Sequence, residues 1–224
     1  MFKIETHLHT KPVSACAHFE PEEMIRFYKE AGYDVVFVSD HFAPHHFGKL
    51  GDHLSWKEKV GLLYDSFLRA KAEGEKHGIT VLFSPELSLK GNHYLLYNVT
   101  LEFLESRDDF FDMTLEEFYA VAKENGITIF QAHPLRDGKC FPTLEYVDGV
   151  EIINTNPRHE NFDEDVLKLL KGHNFLVSAG SDAHRTEDIA GAAVLSPTPI
   201  KTTNEYLELL KSGKAKLMKS GEIL

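Results

Sequence analysis

Val35-Val36-Phe37-Val38-Ser39-Asp40-His41 sets the pattern on which the chain can be read. Four consecutive apolar residues, β-branched or aromatic, suit a strand buried on both faces. A polar triplet ending in a metal-ligand type follows at once. The same succession recurs. His7 and His9 follow a short strand expected at 2–6, and Glu86 follows a strand at 79–83 through Ser84-Pro85. His93 opens a strand near 94–99. His133 follows 127–130, while Asp182 and His184 follow 175–178.

Helix signals separate these strands. Glu20-Pro21-Glu22-Glu23 places proline and acids in a first turn, and the helix carrying Met24, Ile25, Phe27 and Tyr28 stops at Gly32. A helix over 56–77 ends at Gly78. Thr114 and Glu117 form a capping box for a helix that stops before Gly126. A further strand is expected at 150–153, with helices at 161–171 and about 203–212. The stretch 43–55, with Pro44, Gly48 and Gly51, reads as a loop. Its His45, His46, Lys49 and His53 would rim a pocket or face solvent. Alternation of strands and helices predicts an α/β fold with a mainly parallel sheet. About seven strands favour a closed, TIM-barrel-like (β/α) barrel. In such a barrel the C-terminal strand ends meet on one face, where active sites are built.

The 224 residues suit one domain, 1–224, with 42% hydrophobic and 26% charged residues, ordinary for a globular chain. No apolar run approaches the roughly 18 residues of a membrane span. Met1-Phe2-Lys3-Ile4-Glu5 meets an acid and histidines where a signal peptide would be apolar, so a cytoplasmic protein is expected. Cys16 and Cys140 need no disulfide. A net charge of -11 argues against nucleic-acid binding but not against a small anionic substrate, because bound cations reverse the local field. The sequence carries no signal for an oligomeric state.

Among 13 histidines, placement is the informative feature. His7-Leu8-His9 on a strand turns both imidazoles to one side, and Asp182-Ala183-His184 repeats that spacing. Imidazole and carboxylate donors suit zinc, manganese or iron. His7, His9, His41, Glu86, His93, His133, Asp182 and His184 are too many for one tetrahedral ion, so two or three divalent ions are expected. Arg158, in Asn154-Thr155-Asn156-Pro157-Arg158-His159, follows the sixth strand and is the first candidate for a phosphate fork, with His159 beside it. Arg136 and Arg185 rank below Arg158.

The ordered set His7-Leu8-His9-Thr10, Ser39-Asp40-His41, Pro85-Glu86-Leu87, Ala132-His133-Pro134 and Gly180-Ser181-Asp182-Ala183-His184 resembles the PHP (polymerase and histidinol phosphatase) family over nearly the whole chain. The resemblance implies a distorted seven-stranded barrel with a trinuclear site that hydrolyses phosphoesters with metal-activated water. It implies His7, His9, Glu86 and Asp182 around one ion, a second shared by Glu86 and His133, and a third held with His41 and His184. His93 would fill a further histidine position. Asp182 or His184 would pass a proton to the leaving group. The family usually has an Asp or His about six residues after its His-x-His; here that place is near Ala15, and Cys16 or His18 would substitute.

The expected function is therefore hydrolysis of a small phosphate monoester, histidinol-phosphate- or nucleotide-like. Two alternatives remain. An amidohydrolase-type barrel cleaving C–N bonds shares the first and last ligands but lacks Ser-Asp-His after the second strand and the Asp-x-His pair. A non-catalytic metal-binding accessory module would fit the missing ligand near Ala15.

Overall fold

The computed structural model of the protein describes residues 1–224. The chain opens with β1 (Phe2–Leu8), whose last five residues are buried, and α1 (Pro21–Glu30), closed by a Glu20–Glu23 capping box. β2 (Val35–Val38) is buried at every position, and β3 (His41–Phe42) resumes just past Ser39-Asp40. α2 (Pro44–Lys49) leads to α3 (Trp56–His77), a helix of 22 residues between the Ser55 cap and Gly78 in the left-handed conformation. β4 (Thr80–Phe83) and β5 (Glu86–Leu89) are interrupted by Ser84-Pro85. β6 (Asn92–Tyr97), α4 (Leu101–Glu105), α5 (Leu115–Glu124) and β7 (Thr128–Gln131) follow. The rest comprises β8 (Gly149–Asn154), α6 (Asp163–Leu169), β9 (Leu176–Gly180), β10 (Ala192–Ser196), α7 (Thr203–Lys211), β11 (Lys216–Lys219) and β12 (Glu222–Ile223).

The strands form two six-stranded sheets, ordered β12-β11-β10-β1-β2-β4 and β3-β5-β6-β7-β8-β9. β1, β2 and β4 run parallel, as do β7, β8 and β9. The sheets meet on two sides. On one, Ser84 N donates to Val38 O at 3.0 Å and Glu86 N to Asp40 O at 3.2 Å. On the other, Leu8 bridges Ala183 in parallel, His9 N donates to Ala183 O at 3.0 Å, and Ala183 N donates to His7 O at 3.2 Å. The C-terminal ends of β1, β2, β7, β8 and β9 therefore face one end of the molecule.

One apolar core packs α1, α3 and α5 through Met24, Ile25, Tyr28, Leu63, Phe67 and Phe118. A second packs α6 and α7 on β8–β10 through Ile152, Val166, Val194, Tyr206 and Leu210. No helix is long and apolar enough to cross a membrane.

The structure departs from the sequence expectation in four places. Twelve strands in two sheets stand where about seven in one were expected. β6 is antiparallel to both neighbours, because Lys90-Gly91, with φ of 50° and 86°, makes a two-residue hairpin turn after β5 that leaves no room for a crossover. The stretch 43–55 is not all loop, since Pro44 starts α2. β10–β12 had no counterpart in the sequence pattern.

Candidate metal centre

The eight residues singled out by their place after strands converge at the C-terminal strand ends. His7 lies within β1 and His9 one residue beyond it, with ring centroids 5.0 Å apart, and both are fully buried. Glu86, the first residue of β5, stands at the centre. Its Oε1 is 3.3 Å from His7 Nε2, 3.1 Å from His133 Nε2 and 3.3 Å from His93 Nδ1. Its Oε2 is 2.7 Å from His41 Nδ1 and 3.8 Å from His9 Nε2. Asp182 Oδ1 faces His9 Nε2 at 3.0 Å and His7 Nε2 at 3.5 Å. The His184 ring stacks on His9 at 4.2 Å.

Two of these residues sit in backbone conformations that L-residues rarely adopt, Asp182 at φ 50° and His133 at φ 29°. Such positions cost on the order of 1–3 kcal/mol and persist only where the surroundings fix them. Here Asp182 O accepts from Asn156 Nδ2 and His184 Nδ1, both at 2.9 Å, and His133 N donates to Glu151 Oε2 at 3.1 Å.

A second layer holds the first. Glu151 Oε1 accepts from His7 Nδ1 at 2.9 Å and its Oε2 accepts from Asn154 Nδ2 at 2.9 Å. That bond orients the ring so that His7 Nε2 points towards Glu86 and Asp182. A Cβ on Gly180 would stand 2.5 Å from Glu151 Oε1 and 2.6 Å from His7 Cβ, so only glycine fits there. Asp40 is no donor to the centre. It accepts from Thr10 N and Oγ1 at 2.5 and 2.6 Å and from Ser14 Oγ at 2.7 Å, tying down the loop after β1. Arg136 Nη2 lies 2.5 Å from Asp182 Oδ2, leaving Oδ1 to the histidines. Glu151 was missed by the sequence reading, although an acid inside Val150-Glu151-Ile152-Ile153 is the kind of anomaly that marks a buried functional charge.

Against burial, the facing charges hold the two carboxylates ionised and raise His7 and His41, while His9 is kept neutral. Burial alone would raise the Glu86 carboxyl, but facing His93, His7, His133 and His41 hold it well below the carboxylate range. Burial also opposes ionisation of Asp182, which Arg136 and His7 nonetheless bring well below its ordinary value. Burial, aided by neighbouring His41 and His184, keeps His9 neutral. Burial would raise the Cys16 thiol, yet His184 and His41 bring it down to about 6.

The centre opens into a cavity of about 340 Å³ whose wall includes Cys16, His41, His46, His93, Arg136, Arg158, His159, Asp182, His184 and Arg185. Arg158 and His159 are at this wall, as expected, but both are engaged. The Arg158 fork meets buried Asp188 at 2.5 and 2.8 Å, and His159 Nδ1 lies 2.8 Å from Asp137. Asp188 also accepts from His184 N and Arg185 N at 2.8 and 2.9 Å, so it links Arg158 to the last part of the centre. Of the two residues proposed to substitute near Ala15, Cys16 Sγ reaches His41 Nε2 at 3.3 Å, whereas His18 is exposed and joins none of the clusters of donor atoms.

The donors fit divalent metal ions. His7 Nε2, His9 Nε2, His41 Nδ1, Glu86 Oε2 and Asp182 Oδ2 are buried without a well-oriented hydrogen bond, a costly state unless another group satisfies them. Triads such as His7-His9-Glu86, His7-His133-Asp182, His41-Glu86-His93 and His9-His41-His184 each bring one donor atom per residue within 4.8 Å of the others.

No curated protein sequence matches the chain. Residues 164–215 match a family model described as PHP-associated. Among solved structures, the chain is similar to a two-domain protein from Bacteroides vulgatus described as containing a predicted PHP-like metal-dependent phosphoesterase, with a TM-score of 0.70 and 14% identity. That match covers 99% of this chain and 66% of the other, so this chain spans just under two thirds of that protein. It is also similar to a lesion-specific endonuclease from Pyrococcus furiosus, with a TM-score of 0.63 and 19% identity over 97% of this chain and 57% of the other. A third similar structure is an amidohydrolase from Chromobacterium violaceum, with a TM-score of 0.60 and 15% identity over 98% of each chain. At these identities the likeness is one of fold. The family match is confined to residues 164–215, and over the rest of the chain the likeness to PHP-like structures is one of fold.

Proposed function

We propose that the chain is a metal-dependent phosphoesterase that hydrolyses a small phosphate monoester, histidinol-phosphate- or nucleotide-like, at a site of two or three zinc, manganese or iron ions. The observation that carries this reading is the convergence of buried imidazole and carboxylate donors, several without a well-oriented hydrogen bond, on a cavity with arginines on its wall. His7, His9, His41, Glu86, His93, His133, Asp182 and His184 would hold the ions. When bound, divalent ions supply Lewis acidity and an activated water at neutral pH.

The chain's own groups do the rest. Arg136, Arg158 and Arg185 line the cavity and orient the phosphate. The half-exposed Arg185 side chain offers its outer guanidinium nitrogens to a phosphate oxygen. Arg158 acts through its remaining donors while Asp188 holds its fork, and His159 shapes the rim. Asp182 or His184, whichever is not engaged by an ion, passes the proton to the leaving oxygen. We read residues 1–224 as one domain whose β1, β2 with β3, β4 with β5, β6, β7, β8 and β9 form a distorted seven-membered barrel. A reducing, cytoplasmic setting fits its free cysteines.

Phosphate release from a panel of monoesters, with added zinc or manganese and a chelated control, tests the proposal. Chelator-sensitive release that is lost in Asp182→Ala is the expected result. No release from any ester, in protein shown to carry its metals, would overturn it in favour of C–N bond hydrolysis or a non-catalytic metal module.

A further inference from the structure

The loop after β1 holds a sulfur at the edge of the centre. Cys16 Sγ is 3.3 Å from His41 Nε2. One donor atom from each of Cys16, His41 and His46 lies within 4.8 Å of the others. Two donors on one tetrahedral zinc, with Zn–N about 2.0–2.1 Å and Zn–S about 2.3 Å, stand about 3.6 Å apart. The observed spacing is close to that.

The sulfur is placed by the fold. Ser14 Oγ donates to Asp40 at 2.7 Å and accepts from His41 N at 3.0 Å. Ala17 N donates to Ser14 O at 2.8 Å and His18 N to His184 O at 2.9 Å, so bonds on both sides of Cys16 pin it beside His41. His46 stacks on His41 at 4.1 Å, and its Nδ1 accepts from Ala15 N at 3.2 Å, which braces the same turn. Cys140 offers a contrast. Its sulfur lies 4.0 Å from His133 Nδ1, the ring nitrogen away from Glu86, and joins none of the donor clusters.

We propose that Cys16 is a thiolate ligand on one of the ions, shared with His41, and that it biases this position towards zinc or iron over manganese and magnesium. A soft sulfur donor favours the former ions, while an all-oxygen and imidazole set would discriminate less. The proposal rests on the metal-site reading above but not on the reaction.

The test uses the full chain, stripped and reloaded with cobalt(II), without substrate. The wild type should show a near-ultraviolet sulfur-to-cobalt charge-transfer band. Cys16→Ser should lose that band, keep the visible cobalt bands, and lose about tenfold or more of its preference for zinc over manganese. His18→Ala should leave the spectrum unchanged. X-ray absorption of the zinc-loaded wild type should show a Zn–S distance of about 2.3 Å, a readout that needs no variant to fold. Absence of both sulfur signatures in fully loaded protein would overturn the proposal, as would a band that survives in Cys16→Ser and vanishes in Cys140→Ser. These signals do not depend on turnover, so an inactive protein that shows them refutes only the phosphoesterase reading. A chain that takes up no metal refutes both, and stoichiometry reveals this before any spectrum is recorded.

Discussion

At the residue scale, the candidate donors were legible because most stand at the end of an apolar strand run, whereas their supports were not. Glu151 and Glu5 interrupt apolar strand runs, and only the folded neighbours reveal that they face His7. Glu151 accepts from His7 Nδ1. Replacing it by glutamine weakens the bond that orients the imidazole, and metal affinity should fall about 10- to 100-fold, measured by competition with a chromophoric chelator. Unchanged affinity would mean that His7 needs no such orientation. Glu5 accepts from His7 N and Ser181 N at 2.9 Å each and from Tyr28 OH at 2.8 Å. Burial pushes its carboxyl up from 4.5 to about 7. The folded state therefore holds this proton to higher pH than the unfolded state does. Between those two values folding takes up a proton, so stability falls as pH rises from about 4.5 to 7. In chelator-treated protein, denaturant titrations should show the wild type losing up to about 3 kcal/mol over that range relative to Glu5→Gln. Parallel curves for the two proteins would refute the assignment to Glu5.

At the element scale, helices with both end signals were read closely. α3 was expected over 56–77 and occupies Trp56–His77, because Ser55 with Glu58 starts it and Gly78 at φ 68° stops it. α5 was read from Thr114, Glu117 and Gly126 in the same way. Ser55→Ala removes the cap and should cost about 1 kcal/mol, visible as a fall of roughly 2–4 °C in the thermal midpoint with metal content unchanged. A midpoint that does not move would show that packing of α3 on α1 fixes its start without the cap. Strands fared less well. β5 and β6 carry the ligands Glu86 and His93, but their hairpin is set by Lys90-Gly91 rather than by the strand–helix alternation that guided the reading. β10 to β12 are short antiparallel additions to the edge beyond β1, and nothing in a βαβ rhythm predicts such an extension.

At the scale of the whole molecule, convergence of the donors followed from one topological rule, but division into two sheets did not. β1 belongs to one sheet and β5 and β7 to the other, so His7 and His9 meet Glu86 and His133 across the junction. Ions bound there would tie the sheets together. Stripping the metals should lower the thermal midpoint, and returning one ion at 100 times its dissociation constant should restore about 2.7 kcal/mol for that site. Hydrogen exchange should rise first at the junction residues, such as Ala183 and Glu86. Exchange that rises evenly across both sheets would show that the ions do not bridge them.

Glu5 and Ser181, which brace the two ends of the centre, are 176 positions apart in sequence. A ribosome adding about 5–20 residues per second needs on the order of ten to thirty seconds to traverse that interval. During that time the early histidines are exposed without Asp182 and His184, and a nascent chain offers only a partial set of donors to whatever cation arrives. The identity of the ions is then decided late, after the penultimate strands have emerged, and the cell's free-metal pool at that moment competes with the geometry of the finished protein.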